Sequence, residues 1–205
     1  MELTHRIKED ILNNRLPMGV ALRQTVLSAR YGVSRIPVRD ALQALKAEAW
    51  LVPHGKAGVM IPELDWKEAE DLALMRTRLE SLALGFAFEY IVPAHLDEAN
   101  SYLRKLEATD LTLLERGELN WCFHYAIYQA CHRPTLMRAI EVLNIQASRY
   151  LGFQFGPLGY HNHSQEEHRA WLELIRCHKK TEAVLLLEKH IMDAGQRLTE
   201  YLKKA

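Results

Sequence analysis

Residues 32–45 read Gly-Val-Ser-Arg-Ile-Pro-Val-Arg-Asp-Ala-Leu-Gln-Ala-Leu, and this stretch decides how the N-terminal third of the chain folds. Gly32 is typical of the residue that ends a helix, and Ser34 is typical of the N-cap of the next one. Pro37 fits the first turn of that second helix, because the N–H groups of a first turn have no partner within the helix. The apolar residues that follow recur at helical spacing and predict one buried face: Val38, Ala41, Leu42 and Leu45.

The segments on either side of this helical pair extend the pattern. A further helix is predicted upstream, and Thr25 is predicted to cap the short helix that Gly32 ends. Downstream, residues 50–52 and 59–61 are two β-type runs separated by a glycine-containing loop. A helix, a helix-turn-helix pair and a β-hairpin, in this order, predict a winged helix-turn-helix domain over residues 1–62.

The remainder of the chain, residues 63–205, has helical periodicity and no β-type alternation. Its first helix is predicted to end before Pro93 and to carry large apolar side chains on one face: Leu72, Met75, Leu79, Leu82, Phe86 and Tyr90. Helices are predicted at residues 66–91, 95–108, 112–131, 135–151, 164–178 and 180–203. The fold class is therefore mainly α, an N-terminal winged helix-turn-helix followed by a C-terminal all-α six-helix bundle.

Composition excludes several classes of protein. A chain of 205 residues with 25% charged and 48% hydrophobic residues is typical of a globular protein of one or two domains, not of a disordered one. No apolar run is long enough for a membrane span, and the N-terminus lacks the apolar core of a signal peptide. Three cysteines are too few for a disulfide framework. We therefore expect a cytoplasmic protein with no membrane partner.

The net charge of zero conceals an uneven distribution. Residues 1–62 contain nine Lys and Arg against five Asp and Glu, a balance of +4, whereas residues 63–205 contain seventeen against twenty-one, a balance of −4. A basic N-terminal part suits an anionic partner such as nucleic acid. Arg35 and Arg39 lie four residues apart on the polar face of their helix, and an arginine there can bind guanine in the major groove of DNA.

Further groups around this helix suit contacts with the DNA backbone. Ser34 and the helix N-terminus offer hydrogen-bond donors to a phosphate. At the tip of the hairpin, His54, Gly55 and Lys56 can reach the adjacent minor groove or backbone. Because a winged helix of this size contacts one half-site, the predicted partner is double-stranded DNA with an inverted-repeat operator, bound by a two-fold homodimer.

Two motifs resemble a known family. Residues 32–42, together with Leu45 and Glu48, resemble the helix-turn-helix signature of GntR-type bacterial transcription regulators. Residues 76–80, Arg-Thr-Arg-Leu-Glu, resemble the opening of their all-helical FCD effector domain, and the six helices are similar to the shorter, VanR-type branch of the FadR subfamily. The resemblance implies a ligand-responsive regulator whose effector is a small organic or sugar acid. The candidate DNA-binding residues are then Thr25, Ser34, Arg35, Pro37, Arg39, His54, Gly55 and Lys56.

Three histidines interrupt apolar stripes on three different predicted helices: His124, His168 and His190. A single histidine on an apolar face is usually a core residue that is hydrogen-bonded to a carbonyl. Three in one bundle would each need a separate buried partner, whereas one shared divalent metal would satisfy all three. The residues alone leave both interpretations open and favour the metal site, because bundle cores are where such sites are built.

The family resemblance implies a specific ligand set. Many FCD domains bind a divalent metal through an aspartate, a histidine four residues later and two histidines on the last two helices. His124, His168 and His190 match the three histidine positions, whereas Asn120 stands at the aspartate position. An amide oxygen is a weaker, uncharged ligand. Zinc or nickel suits such imidazole-rich coordination.

Two arginines are candidates for binding a carboxylate of the effector. Arg76 resembles an FCD arginine that faces the effector cavity, and Arg149 is a further cation in an apolar helix. For each of them an internal salt bridge with a helix neighbour is the alternative. His161 and His163 lie in a predicted loop over residues 152–163 and are expected to be exposed.

Two other functions stay open at this stage. A metal-dependent hydrolase would use the three histidines, but the chain has no HExxH motif, and the spacing from His163 to His168 does not fit the inverted motif. An architectural DNA-binding protein would use the helical part for dimerisation alone. We interpret the chain as a regulator and not as an enzyme.

Overall fold

The computed structural model describes residues 2–55, 58–152 and 161–204, without the side chains of residues 161 and 162. Lys56, one of the candidate DNA-binding residues, lies outside the described residues. The chain divides into two compact units, Met1–Leu64 and Asp65–Ala205. Each unit buries its own set of apolar side chains.

The first unit has the predicted order of a winged helix-turn-helix. Its described elements are α1 (Leu3–Leu12), α2 (Gln24–Tyr31), α3 (Arg35–Ala47), β1 (Val52–His54) and β2 (Gly58–Met60). The two strands pair antiparallel, with Pro53 opposite Val59. The prediction of a helix-turn-helix followed by a β-wing is confirmed.

The turn between α2 and α3 is built from the residues that predicted it. Gly32 ends α2 with φ at +67°, a left-handed conformation that favours glycine. Ser34 occupies the N-cap position of α3, although its side chain makes no capping hydrogen bond, and Pro37 lies in the first turn. The apolar stripe of α3 is buried as predicted: Val38, Ala41, Leu42 and Leu45.

Two local predictions in this unit are wrong. Thr25 does not cap α2, because the last residue with extended backbone before the helix is Arg23, and Thr25 already lies inside the first turn. The first strand begins at Val52 and not at residue 50. Trp50 lies in the turn after α3, where its backbone N–H donates to the Leu45 carbonyl at 2.9 Å.

A buried carboxylate joins α1 to α2. Asp10 accepts hydrogen bonds from Tyr31 Oη at 2.8 Å and from Arg30 Nε at 3.0 Å. Burial acts to raise the pKa of Asp10, but the hydrogen bonds from Tyr31 and Arg30 outweigh it and hold that pKa below its ordinary value. Burial and the Asp10 carboxylate together raise the pKa of Tyr31 to about 12, so the phenol remains a donor at neutral pH.

The described part of the second unit contains six α-helices, which confirms the predicted six-helix fold. They are α4 (Trp66–Ala87), α5 (Pro93–Leu106), α6 (Leu113–Tyr128), α7 (Pro134–Ala147), α8 (His161–Arg176) and α9 (Lys180–Leu202). Short 3-10 turns, Gln129–Cys131 and Ser148–Tyr150, continue α6 and α7. Within the described ranges no helix is long and apolar enough to cross a membrane.

Two predicted helix boundaries differ from those observed. α4 ends at Ala87, four residues early, and Val92 is extended (φ −114°, ψ 164°) because it precedes Pro93. α8 begins at His161, so His161 and His163 lie on a helix and not in a loop. The side chain of His163 is exposed, as expected.

The predicted apolar face of α4 is mostly not its buried face. Side chains on that face are 39–58% exposed: Met75, Leu82, Phe86 and Tyr90. The reason is the close crossing of α4 by α9. A Cβ atom built on Gly195 of α9 would lie 2.2 Å from the Cβ of Ala73. Such an approach admits mainly small residues, and the buried face of α4 is Ala69, Leu72, Ala73, Thr77, Glu80, Ala83, Leu84 and Ala87.

Candidate DNA-binding surface and histidine cluster

The first unit has a concave, basic surface between the start of α2, the exposed face of α3 and the hairpin. The groove has a volume of about 590 Å³. Among the predicted DNA-binding residues it is lined by Thr25, Arg35, Arg39 and Gly55; it is also lined by Arg23, Gln43 and Lys46. The structure therefore gathers four cationic side chains in one groove.

Local structure explains why these cations face outward. The buried stripe of α3 turns Arg35 and Arg39 to the opposite, exposed side of the helix. Arg39 also contacts the neighbouring Asp40 at 3.1 Å, but both side chains are about 60% exposed, so this ion pair is weak. Lys46 follows Arg39 by seven residues and shares its face, which is a signal that the sequence analysis missed.

The remaining predicted DNA contacts lie around the same groove. Ser34 and Pro37 begin α3, and His54 is exposed at the end of β1. Gly55 has φ at +60°, so the turn of the wing depends on glycine at this position. Arg23 was not among the predicted DNA-binding residues. The sequence signal that could have identified it is its position immediately before α2.

In the second unit, three histidines from three helices meet. His124 of α6, His168 of α8 and His190 of α9 each offer a ring nitrogen, and these atoms lie within 4.8 Å of one another. The ring centroids are 5.0 Å apart for His124 and His168, 5.8 Å for His124 and His190, and 4.8 Å for His168 and His190. The first two side chains are buried, and the third is 12% exposed. We refer to these three residues as the histidine cluster.

Two histidines of the cluster use Nδ1 for a hydrogen bond. Nδ1 of His124 lies 3.2 Å from Tyr128 Oη, and Nδ1 of His190 lies 2.7 Å from an oxygen of Glu167. Nε2 of His124 is buried and has no hydrogen-bond partner among the described residues. Burial, followed by the nearby His190 and Arg76, lowers the pKa of His124 well below its usual value, so this imidazole is neutral.

A fully buried glutamate lies behind Tyr128. Glu80 accepts hydrogen bonds from Arg76 Nε at 2.8 Å, Tyr128 Oη at 3.0 Å and Asn144 Nδ2 at 3.3 Å. Burial and the Glu80 carboxylate raise the pKa of Tyr128 far above its usual value, so Tyr128 stays a phenol. Arg76 is thus held by an internal partner.

Arg149 has an internal partner as well. Its side chain is only 3% exposed and forms a salt bridge with Glu68 of α4. Glu68 also accepts from Tyr150 Oη at 2.5 Å. Arg76 therefore has the salt bridge with a helix neighbour that was its alternative, whereas the partner of Arg149 lies on a different helix.

The residues of the cluster fit an imidazole-bound divalent ion. Two nitrogen ligands at about 2.1 Å from one ion lie no more than about 4.2 Å apart, so a small rotation of the rings closes the present separation. A buried nitrogen without a partner, such as Nε2 of His124, costs roughly 1–3 kcal/mol, and a metal bond would remove this cost. Asn120 lies one turn before His124 on α6 and is half-buried.

Sequence reasoning missed the groups behind the cluster. Glu167 immediately precedes His168, and Glu80 closes the motif that opens the FCD resemblance, but neither position signals a contact with a histidine. Tyr128 carries the one local signal, because it follows His124 by four residues and therefore lies on the same face of α6.

Comparisons with known proteins decide the family. Residues 71–193 match the FCD domain, and residues 1–61 match the family described as bacterial regulatory proteins, gntR family. This chain belongs to the GntR family. The predicted resemblance to GntR regulators with an FCD domain is therefore confirmed.

Relatives of this GntR-family regulator agree with the assignment. It is 25% identical to YdhC of Bacillus subtilis, an uncharacterized HTH-type transcriptional regulator, over 99% of this chain and 90% of the relative. It is also 25% identical to the HTH-type transcriptional regulator McbR of Escherichia coli, over 82% of this chain and 78% of the relative.

Two solved structures have the same fold as this GntR-family chain. E. coli McbR/YncC superimposes with a TM-score of 0.75 at 23% identity, over 98% of this chain and 96% of that one. A GntR-family transcriptional regulator from Pseudomonas syringae pv. tomato gives a TM-score of 0.62 at 32% identity, over 98% and 85% of the two chains.

Proposed function

We propose that this GntR-family protein is a ligand-responsive transcription regulator that binds DNA through the groove of its first unit. The observation that carries the proposal is the convergence of Arg23, Arg35, Arg39 and Lys46 on one concave surface between α2, α3 and the wing. α3 enters the major groove, with Arg35 and Arg39 at the base edges. Arg23, Lys46 and the sequence-predicted Lys56 bind phosphates, while the first turn of α3, with Ser34 and Pro37, sets its entry.

The first prediction separates base reading from phosphate binding. Arg35→Ala and Arg39→Ala are each expected to cost about 1–3 kcal/mol in specific DNA binding, because each removes a bidentate contact to a base. Lys46→Ala is expected to weaken specific and non-specific binding alike and to flatten the dependence on salt. Binding to a selected operator and to random DNA, measured at several salt concentrations, gives both numbers. Arg176→Ala, an exposed arginine of the second unit, is the control.

One outcome of these measurements would contradict the assignment of α3 as the recognition helix. If both Arg35→Ala and Arg39→Ala bind the selected operator as tightly as the wild type, α3 does not read the bases.

The operator is proposed to be an inverted repeat bound by a homodimer. Each winged helix contacts one half-site, so two-fold symmetry of the protein requires two-fold symmetry of the DNA. The exposed apolar face of α4 supports a second copy as the partner. Met75, Leu82 and Phe86 lie at spacings of seven and four residues, which places them on one side of the helix, and they are 39–47% exposed.

The second prediction tests the dimer. Leu82→Lys is expected to shift the protein from dimer to monomer, because it places a charge in the centre of an apolar contact. Leu185→Lys, at a leucine of α9 that is 59% exposed, is expected to leave the dimer intact. Sedimentation measures the mass of the protein in solution. The affinities for DNA fragments with one and with two half-sites show whether two copies still bind together. A dimer that survives Leu82→Lys and Phe86→Lys together would rule out this face.

The second unit is proposed to bind its effector at a divalent metal. The proposed ligands are His124, His168 and His190, with Asn120 as a fourth, and zinc or nickel is the proposed ion. The bound ion would supply a positive charge to a small organic or sugar acid. Since Arg76 and Arg149 are already paired with carboxylates, an effector carboxylate would have to compete for them.

A screen of carboxylic acids by thermal shift, with and without metal, tests the effector. A gel shift that responds to the same acid distinguishes a regulator from an architectural DNA-binding protein. Turnover of an ester panel would instead support the hydrolase.

The third prediction concerns Asn120 and the affinity for metal. If Asn120 faces the ion, Asn120→Asp supplies an anionic oxygen from the same backbone position and should raise affinity at least about tenfold. Without metal the new carboxylate is poorly solvated and should lower the melting temperature. The variant is therefore expected to melt below the wild type in chelator and to gain more from added zinc or nickel.

Two further variants complete this test. His124→Ala in the Asn120→Asp background should abolish the gain, and Asn100→Asp, at a half-buried asparagine of α5, should show no response to metal. If Asn120→Asp is indifferent to metal in both melting and calorimetry, Asn120 is not a ligand.

A further inference from the structure

We infer that Glu167 and the Tyr128–Glu80 pair are positioning groups that hold His190 and His124 in the Nδ1–H tautomer, so that Nε2 of both rings carries the lone pair for the metal. The inference rests on the proposed metal site and adds to it the residues that orient its ligands. It depends on which group in each hydrogen bond is able to donate.

The first chain of hydrogen bonds starts at Glu80. Glu80 is fully buried and forms an ion pair with Arg76, so it is a carboxylate and can only accept. Tyr128 must therefore donate its single hydroxyl proton to Glu80, over 3.0 Å. The oxygen of Tyr128 is then left to accept, and the group 3.2 Å away is Nδ1 of His124. Nδ1 of His124 consequently carries the proton.

This assignment agrees with a separate observation on the same ring. In the neutral imidazole a proton on Nδ1 leaves the lone pair on Nε2. Nε2 is the atom of His124 that is buried and has no hydrogen-bond partner among the described residues. The hydrogen-bond chain and the unpartnered atom therefore point to the same ligand nitrogen.

The second set of hydrogen bonds joins a carboxylate directly to a histidine. Glu167 of α8 is 8% exposed, and its Oε2 lies 2.7 Å from Nδ1 of His190 on α9. Its other oxygen lies 3.2 Å from Nε2 of His163. A carboxylate between two imidazoles accepts from both, so Nδ1 of His190 is protonated, and in the neutral ring its Nε2 offers the lone pair.

In both arrangements a carboxylate orients a histidine that would bind the metal. Glu167 contacts His190 directly, whereas Glu80 acts on His124 through the phenol of Tyr128. The outer groups come from α4, α6 and α8. Removing such a group typically reduces metal affinity by about 10–100-fold, because the ring loses both its orientation and its preferred tautomer.

The tautomers can be measured without metal. Full-length, chelator-treated protein labelled with ¹⁵N-histidine gives long-range ¹⁵N–¹H spectra, in which we expect His124 and His190 as Nδ1–H tautomers. Tyr128→Phe is expected to convert His124 to a mixture, and Glu167→Ala to do the same to His190. Glu167→Gln should keep the wild-type tautomer, because its amide oxygen still accepts. Tyr150→Phe removes another phenol–glutamate bond, which is partly buried, and serves as the matched control. Glu166→Ala is the control beside Glu167.

Zinc affinity of the same proteins, measured by competition with a chromophoric chelator, gives the second readout. Tyr128→Phe and Glu167→Ala are expected to bind zinc about 10–100-fold more weakly than the wild type, and both controls to bind it unchanged. An Nε2–H tautomer for either ring in wild-type protein that binds zinc overturns the inference and leaves the proposed metal site standing. Equal losses in the variants and their controls overturn it as well. Failure of the wild type to bind zinc or nickel overturns the proposed metal site, and the inference with it.

Discussion

Arg76→Met is expected to lower the free energy of unfolding by about 3–5 kcal/mol. The substitution removes the cationic partner of Glu80, whose side chain is fully buried, and an uncompensated buried charge is among the most costly defects in a fold. Tyr128 and Asn144 still donate to Glu80, but neither carries a charge. Chemical denaturation with one spectroscopic probe for each unit measures the loss in the unit that contains α4.

The matched control is Arg176→Met. Arg176 forms an i,i+3 pair with Glu173, and both side chains are more than half exposed, so the expected loss is at most about 1 kcal/mol. Neutralising both partners with Arg76→Met and Glu80→Gln should recover a large part of the stability, because no charge is then left buried. If Arg76→Met costs no more than Arg176→Met, Glu80 is not held as a buried anion.

Gly195→Val is expected to destabilise the second unit by about 3 kcal/mol. The helices α4 and α9 cross at Gly195 and Ala73, where an added Cβ would lie 2.2 Å from the Cβ of Ala73. Since Ala73 has no rotatable side chain, the helices themselves have to separate, and overpacking of this kind costs roughly 1–3 kcal/mol for small additions. Thermal and denaturant unfolding report the change.

Gly85→Ala is the control for this prediction. Gly85 is also helical, but nothing lies within 4 Å of its added Cβ, so the substitution should be neutral or should stabilise by up to about 1 kcal/mol. Equal effects of Gly195→Ala and Gly85→Ala would show that the crossing of α4 and α9 is not in close contact at this point.

The amino-acid sequence was sufficient to predict the helix-turn-helix and the wing of the first unit, and to predict which side of α3 is exposed. Glycine in a left-handed turn, an N-cap and a stripe of four apolar residues are local signals, and Arg35 and Arg39 are exposed because the same helix buries its other side. The positions of the three histidines were also visible, since each interrupts an apolar stripe on its own helix. These features depend on residues within a few turns of one another, where periodicity is informative.

The groups that surround the histidines, and the face of α4 that is buried, could be identified only from the packing of the helices. Glu167 contacts a histidine 23 residues away on another helix, and Glu80 lies 48 residues from Tyr128. No local pattern encodes such pairs, because they depend on how helices cross. The same reason explains which face of α4 is buried. The large apolar side chains of α4 predicted that they would form its buried face. The close approach of α9 at Gly195 leaves space mainly for small residues, so Met75, Leu82 and Phe86 are turned outward.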